Sequence, residues 1–134
     1  MFACGRNDHG QLGLGDATER NTFTAVPALP DGKVAKQVVA GSAHTMILAK
    51  DSAVFACGFN GSGRLGLGDT TNRNGFTAVP SVPGSKAARE GVEGSADAVT
   101  LEKDSAVCAW GFTGCRRSGL GDATNRQRGA YMHP

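Results

Sequence analysis

Leu65-Gly66-Leu67-Gly68-Asp69 is a phrase that this chain writes three times. It stands one period earlier as Leu12-Gly13-Leu14-Gly15-Asp16 and one period later as Ser118-Gly119-Leu120-Gly121-Asp122. The match spreads outward from there. Phe55-Ala56-Cys57-Gly58 repeats Phe2-Ala3-Cys4-Gly5 and becomes Cys108-Ala109-Trp110-Gly111 in the last copy. Phe76-Thr77-Ala78-Val79-Pro80 repeats Phe23-Thr24-Ala25-Val26-Pro27, and Lys103-Asp104-Ser105-Ala106-Val107 repeats Lys50-Asp51-Ser52-Ala53-Val54. The period is 53 residues without insertion, and roughly 32 of 53 positions agree between the first two copies. A unit that recurs at this spacing cannot bury its apolar face alone; its neighbours must cover it.

Composition agrees with short strands and tight turns. Of 134 residues 20 are Gly, well above the average usage of about 7%. That excess opposes helices, where each interior Gly costs about 1 kcal/mol. The net charge of +2 selects no partner. The four cysteines form no CxxC pair, which opposes a zinc site. Cys4 and Cys57 share one slot that the third copy fills with Trp110, so the slot is expected to be buried and apolar, and disulfides are not expected. No signal peptide and no run of about 18 apolar residues is present. Met1 abuts the first motif and the other end stops inside a copy, so a piece of a longer array is expected.

Strands are predicted over Val34 to Ala40, Ala43 to Ala49, Ala53 to Cys57 and Phe76 to Val79, each bounded by Gly, Asn, Asp or Pro. Asp51-Ser52-Ala53 reads as a hairpin turn. About four short strands in every 53 residues is the plan of a propeller blade. The fold class is therefore all-β, a partial β-propeller of about two and a half four-stranded blades. The expected units are a half blade over 1–33, a complete central blade over 34–81 and a degraded last blade over 82–134.

The succession Val39-Ala40-Gly41-Ser42-Ala43-His44-Thr45, then Asp51 to Gly58, then Asn60-Gly61-Ser62-Gly63-Arg64-Leu65-Gly66-Leu67-Gly68-Asp69 resembles the repeat of the regulator of chromosome condensation family. The resemblance covers essentially the whole chain. It implies a propeller of about seven blades, of which this chain supplies fewer than three. It also implies a binding role or, for the founding member of the family, nucleotide exchange on the small GTPase Ran with contact to chromatin. The exchange activity depends on a wedge-like excursion, and all copies here have equal length.

No catalytic, cofactor-binding or metal site is expected. Gly61-Ser62-Gly63-Arg64-Leu65-Gly66 matches the dinucleotide pattern, but a turn follows where pyrophosphate needs a helix N-terminus. The other copies break the match with Asp8 and Arg116. Gly13, Gly15, Gly66, Gly68, Gly119 and Gly121 persist even where side chains drift, which points to a backbone demand. Asp16, Asp69 and Asp122 recur with Thr two residues on, as turn-closing carboxylates do. Arg20, Arg73 and Arg126 are read either as anchors of loop carbonyls, the favoured reading, or as a ring of surface charge, and Arg64, which varies as Gln11 and Arg117, is expected to matter little to stability if it is solvated. His44 has Asp97 as its counterpart and reads as a hydrogen-bonded core residue. Gly58, Trp110 and Gly111 complete the framework positions. Asn60-Gly61-Ser62 is formally a glycosylation sequon.

The reading is a non-enzymatic scaffold that binds a protein through one propeller face, cytoplasmic or nuclear, without a cofactor. Part of a guanine nucleotide exchange factor for a Ran-type GTPase is the alternative. Membrane contact is not expected, nor is nucleic-acid or chromatin contact by this piece alone.

Overall fold

The computed structural model describes residues 1–80 in full and, beyond them, the strands 88–93, 97–102, 107–111 and 126–132. The strands are β1 (Phe2–Gly5), β2 (Arg20–Ala25), β3 (Ala35–Ala40), β4 (His44–Ala49), β5 (Val54–Gly58), β6 (Arg73–Ala78), β7 (Ala88–Glu93), β8 (Asp97–Glu102), β9 (Val107–Gly111) and β10 (Arg126–Met132). They form a two-stranded sheet β1-β2 and two four-stranded antiparallel sheets, β3-β4-β5-β6 and β7-β8-β9-β10. This is the meander of a propeller blade, in which each strand pairs with its sequence neighbour. Among the described residues no helix is long and apolar enough to cross a membrane.

Register follows the period. Phe2 pairs with Ala25 and Gly5 with Arg20, with a bulge between; Phe55 pairs with Ala78 and Gly58 with Arg73, again with a bulge between. Arg126 lies opposite Gly111 in the same way. That bulge carries the outer strand back to the arginine, so β6 begins at Arg73, earlier than the apolar pattern from Phe76 predicts. The turn between β4 and β5 closes with Ala49 N–H donating to Ala53 O at 2.8 Å, and with the Asp51 carboxylate accepting from Ala53 N–H at 3.1 Å.

Strand β4 lies at the heart of the core. Met46, Ala56 and Leu65 pack together on one face, with Val54, Leu67 and Val79 at the margin. Leu29, Ile47, Ala49 and Phe55 pack on the other, flanked by Ala35, Ala53 and Phe76. Leu29 belongs to the preceding copy, so this second core is shared between repeats. Burial of a Leu or Phe side chain stabilises by about 1.5–3 kcal/mol, and here much of that is available only when repeats stack.

The shared cysteine slot behaves differently in the two copies. Cys57 is buried, while Cys4 is exposed. Cys57 has β4 beside it, opposite Thr45, and the first glycine loop above it. Cys4 lies on β1, whose strand partner among the described residues is β2. The expectation of a buried slot therefore holds for the second copy and fails for the first. Trp110, which takes the slot in the third copy, lies in β9 opposite Ala98.

Candidate functional site: the glycine loops

Each described glycine loop is organised by an asparagine to which the sequence alone assigned no structural role. The Asn60 side-chain amide donates to Asp69 O at 3.1 Å, Asp69 Oδ1 at 3.0 Å and Thr71 O at 3.1 Å, and its Oδ1 accepts from Leu65 N–H at 3.0 Å. Asn7 repeats all four bonds with Asp16, Thr18 and Leu12. Both asparagines are 0% exposed, so Asn60 is no acceptor for a glycan. Recurrence at a fixed slot was the available signal; the third copy has Thr113 there.

The carboxylates and arginines close the same loops. Asp69 Oδ1 accepts from Thr71 N–H at 3.1 Å, as Asp16 does from Thr18 N–H at 3.0 Å. Arg73 donates to Thr71 O at 2.6 Å and to Asp69 Oδ2 at 2.7 Å, and Arg20 makes the same pair of contacts with Thr18 and Asp16. The bonds from these arginines hold both carboxyls below their usual range, with the threonine N–H next in importance.

Gly13, Gly15, Gly58, Gly66 and Gly68 all have positive φ. Two of them also allow close approach. A Cβ on Gly58 would lie 2.5 Å from Ala43 O and 2.7 Å from the His44 Cα, and one on Gly13 would lie 2.3 Å from the Phe76 ring. Gly13 and its neighbours thus dock onto the next repeat: Gly15 N–H donates to Asn74 O at 2.9 Å, and Gln11 O accepts from the Thr45 hydroxyl at 2.7 Å and the Cys57 thiol at 3.5 Å. Gly119, Gly121 and Asp122 fall outside the described residues; Trp110 and Gly111 lie in β9. After Gly66 the chain makes a further turn, and no helix follows the dinucleotide pattern among the residues up to Pro80.

His44 begins β4, opposite Gly58, and is 1% exposed. Burial, and secondarily the charge of Arg64, pushes its pKa down to about 4, so the imidazole is neutral at pH 7. Arg64 corrects the sequence reading. It is 7% exposed, and its guanidinium lies 4.5 Å from the centroid of the Phe59 ring. Its counterpart Gln11 is likewise buried, at 8% exposed.

At the junction of the two loops lie residues that differ between copies. The His9 and Phe59 rings meet at 4.9 Å between centroids, tilted by 45°. Arg6 pairs with Asp8 through two bonds, which hold the Asp8 pKa at about 2. The second copy has Phe59, Gly61 and Ser62 at the slots of Arg6, Asp8 and His9. Among the described residues no three His, Cys, Asp or Glu side chains converge as metal ligands.

The repeated Asn, Asp and Arg loop clamps, set on propeller-type sheets, define the class. The family model described as the regulator of chromosome condensation (RCC1) repeat matches residues 1–48, and a second model of the same description matches residues 35–64. The human X-linked retinitis pigmentosa GTPase regulator is 33% identical over 125 residues, which is 93% of this chain and 12% of that protein. The Drosophila melanogaster regulator of chromosome condensation is 33% identical over 115 residues, 83% of this chain and 20% of that one. The crystal structure of Prp20p from Saccharomyces cerevisiae, described with its binding to Gsp1p and histones, superposes with a TM-score of 0.83. That match is at 22% identity and covers 99% of this chain and 34% of Prp20p. The chain belongs to the regulator of chromosome condensation repeat family. It spans about an eighth to a fifth of the lengths of these two curated relatives.

Proposed function

We propose that this chain is part of a protein-binding propeller, with units over 1–33, 34–81 and 82–134, and that its partner meets the junction of the glycine loops. The carrying observation is the separation of roles within each loop. Asn, Asp, Arg and Gly build the same clamp in both described copies, while Arg6, Asp8, His9 and Phe59 break the repeat and gather at one junction. Residues that depart from the framework, on loops held by a rigid scaffold, are where recognition concentrates. The family name borne by a GTPase regulator makes a small GTPase the first partner to test.

The test is a titration of the chain against Ran-type small GTPases carrying a fluorescent guanine nucleotide, read both as binding and as nucleotide release. Binding is expected, weakened at least about tenfold by Asp8→Arg or Phe59→Ala, as loss of a central contact does. Release is not expected to accelerate; clear acceleration would favour the exchange-factor reading. Binding indifferent to both substitutions would place the contact elsewhere.

A further inference from the structure

We propose that Asn74 is a self-modifying site: the Gly75 backbone nitrogen attacks its carboxamide to give aspartate and isoaspartate, and the isoaspartate form loosens the docking of the first glycine loop on the second repeat. The step needs an unheld carboxamide and a following residue whose nitrogen reaches it. The chain has two Asn-Gly pairs, Asn60-Gly61 and Asn74-Gly75. At the first, Asn60 is 0% exposed, its amide nitrogen donates to Asp69 and Thr71, and its Oδ1 is held by Leu65 N–H. At the second, Asn74 is exposed, and among the described residues no hydrogen bond holds its carboxamide. Strand β6 bulges here. Arg73 lies opposite Gly58 and Thr77 opposite Ala56, so Asn74, Gly75 and Phe76 face Cys57 alone. A bulge leaves its extra residues off the ladder, and a Cβ on Gly75 would meet nothing within 4 Å. The first copy is a built-in control: Asn21 is exposed in the matching bulge of β2, but Thr22 follows it. A β-branched residue narrows the backbone motion that brings the nitrogen to Cγ, and glycine widens it.

In the reaction the Gly75 nitrogen gives its proton to solvent and bonds to Asn74 Cγ, and the side-chain nitrogen leaves as ammonia. Water then opens the cyclic imide. Cleavage at Cγ restores the backbone and leaves aspartate. Cleavage at the main-chain carbonyl carbon leaves isoaspartate, with the backbone rerouted through Cβ and Cγ. The main-chain oxygen of Asn74, which accepts from Gly15 N–H at 2.9 Å, then becomes part of a free carboxylate. Asn74 also packs where Gly10 has no side chain: a Cβ there would lie 2.5 Å from the Asn74 Cα and 2.8 Å from Arg73 O. Contact this close leaves no room for a longer main chain.

The test ages the full chain at mildly alkaline pH, digests it and maps the products by mass spectrometry, with isoaspartate counted by enzymatic methylation. Asn74 is expected to convert at least about tenfold faster than Asn60 and Asn21. In urea the difference between Asn74 and Asn60 should vanish, because unfolding frees both Asn-Gly pairs. Gly75→Thr, which copies the first repeat, should slow Asn74 to the rate of Asn21, and Thr22→Gly should raise Asn21 towards that of Asn74. Hydrogen exchange of the Gly15 amide should speed up at least about tenfold in the isoaspartate fraction. It should stay unchanged in the Gly75→Thr chain aged in parallel. No conversion at Asn74, or conversion of Asn60 or Asn21 as fast in the folded chain, would overturn the site. Unchanged exchange at Gly15 in the isoaspartate fraction would overturn its effect on docking.

Discussion

Phe2 and Phe55 hold the same slot of the same repeat, yet Phe2 is 67% exposed and Phe55 2%. Phe23 and Phe76 differ in the same sense: Phe23 is 76% exposed, while Phe76 packs at the margin of the core. The paired outer strands of the two copies are alike in register and bulge. What differs is the cover: β4, Leu29 and the preceding glycine loop lie over the second copy. Local geometry is therefore written into each repeat, and burial is conferred by the neighbour.

Substitution at matched slots should separate these contributions. The largest effect is expected at the aromatic slot: Phe55→Ala should cost about 3–5 kcal/mol in denaturant unfolding, and Phe2→Ala within about 0.5 kcal/mol. Equal costs would mean that β1 is covered in solution. At the bulge glycine, Gly58→Ala combines left-handed strain with a clash against the backbone of Ala43 and His44, for about 2–4 kcal/mol. Gly5→Ala carries the strain alone, about 1–2 kcal/mol by the same measure of backbone cost.

The pH response probes the cover over the second copy, because His44 is buried at the start of β4 opposite Gly58. Its native pKa of about 4 lies below its ordinary 6.5. Between these values the unfolded chain binds the extra proton, so stability rises with pH across that window and is lost as pH falls from 6.5 towards 4. Unfolding midpoints of His44→Gln across this range should show a flatter profile than wild type; an unchanged slope would assign the response to other groups. The smallest difference is expected at the loop hubs. Asn7→Ala and Asn60→Ala should each cost about 1–3 kcal/mol, since each strands buried partners. The two values should agree more closely than those of any other pair. A large gap between them would show that loop closure also depends on the neighbouring repeat.

The sequence by itself determined the period, the strand order, the turn at Asp51-Ser52, the glycine framework and the family, because each leaves a local pattern that recurs. Comparison of copies also exposed the carboxylate and arginine slots, whose bonds span only two to four residues. The reach of Asn60 to Asp69 and Thr71 was not legible, since an amide that ties residues nine and eleven places away carries no local mark. Nor were the cover over Arg64, the exposure of Cys4 or the meeting of His9 with Phe59. Those were decided by tertiary structure alone. Two identical strings have identical propensities, but solvent exposure depends on which other strands and loops arrive beside them, and in a stacked array that is a property of the neighbour.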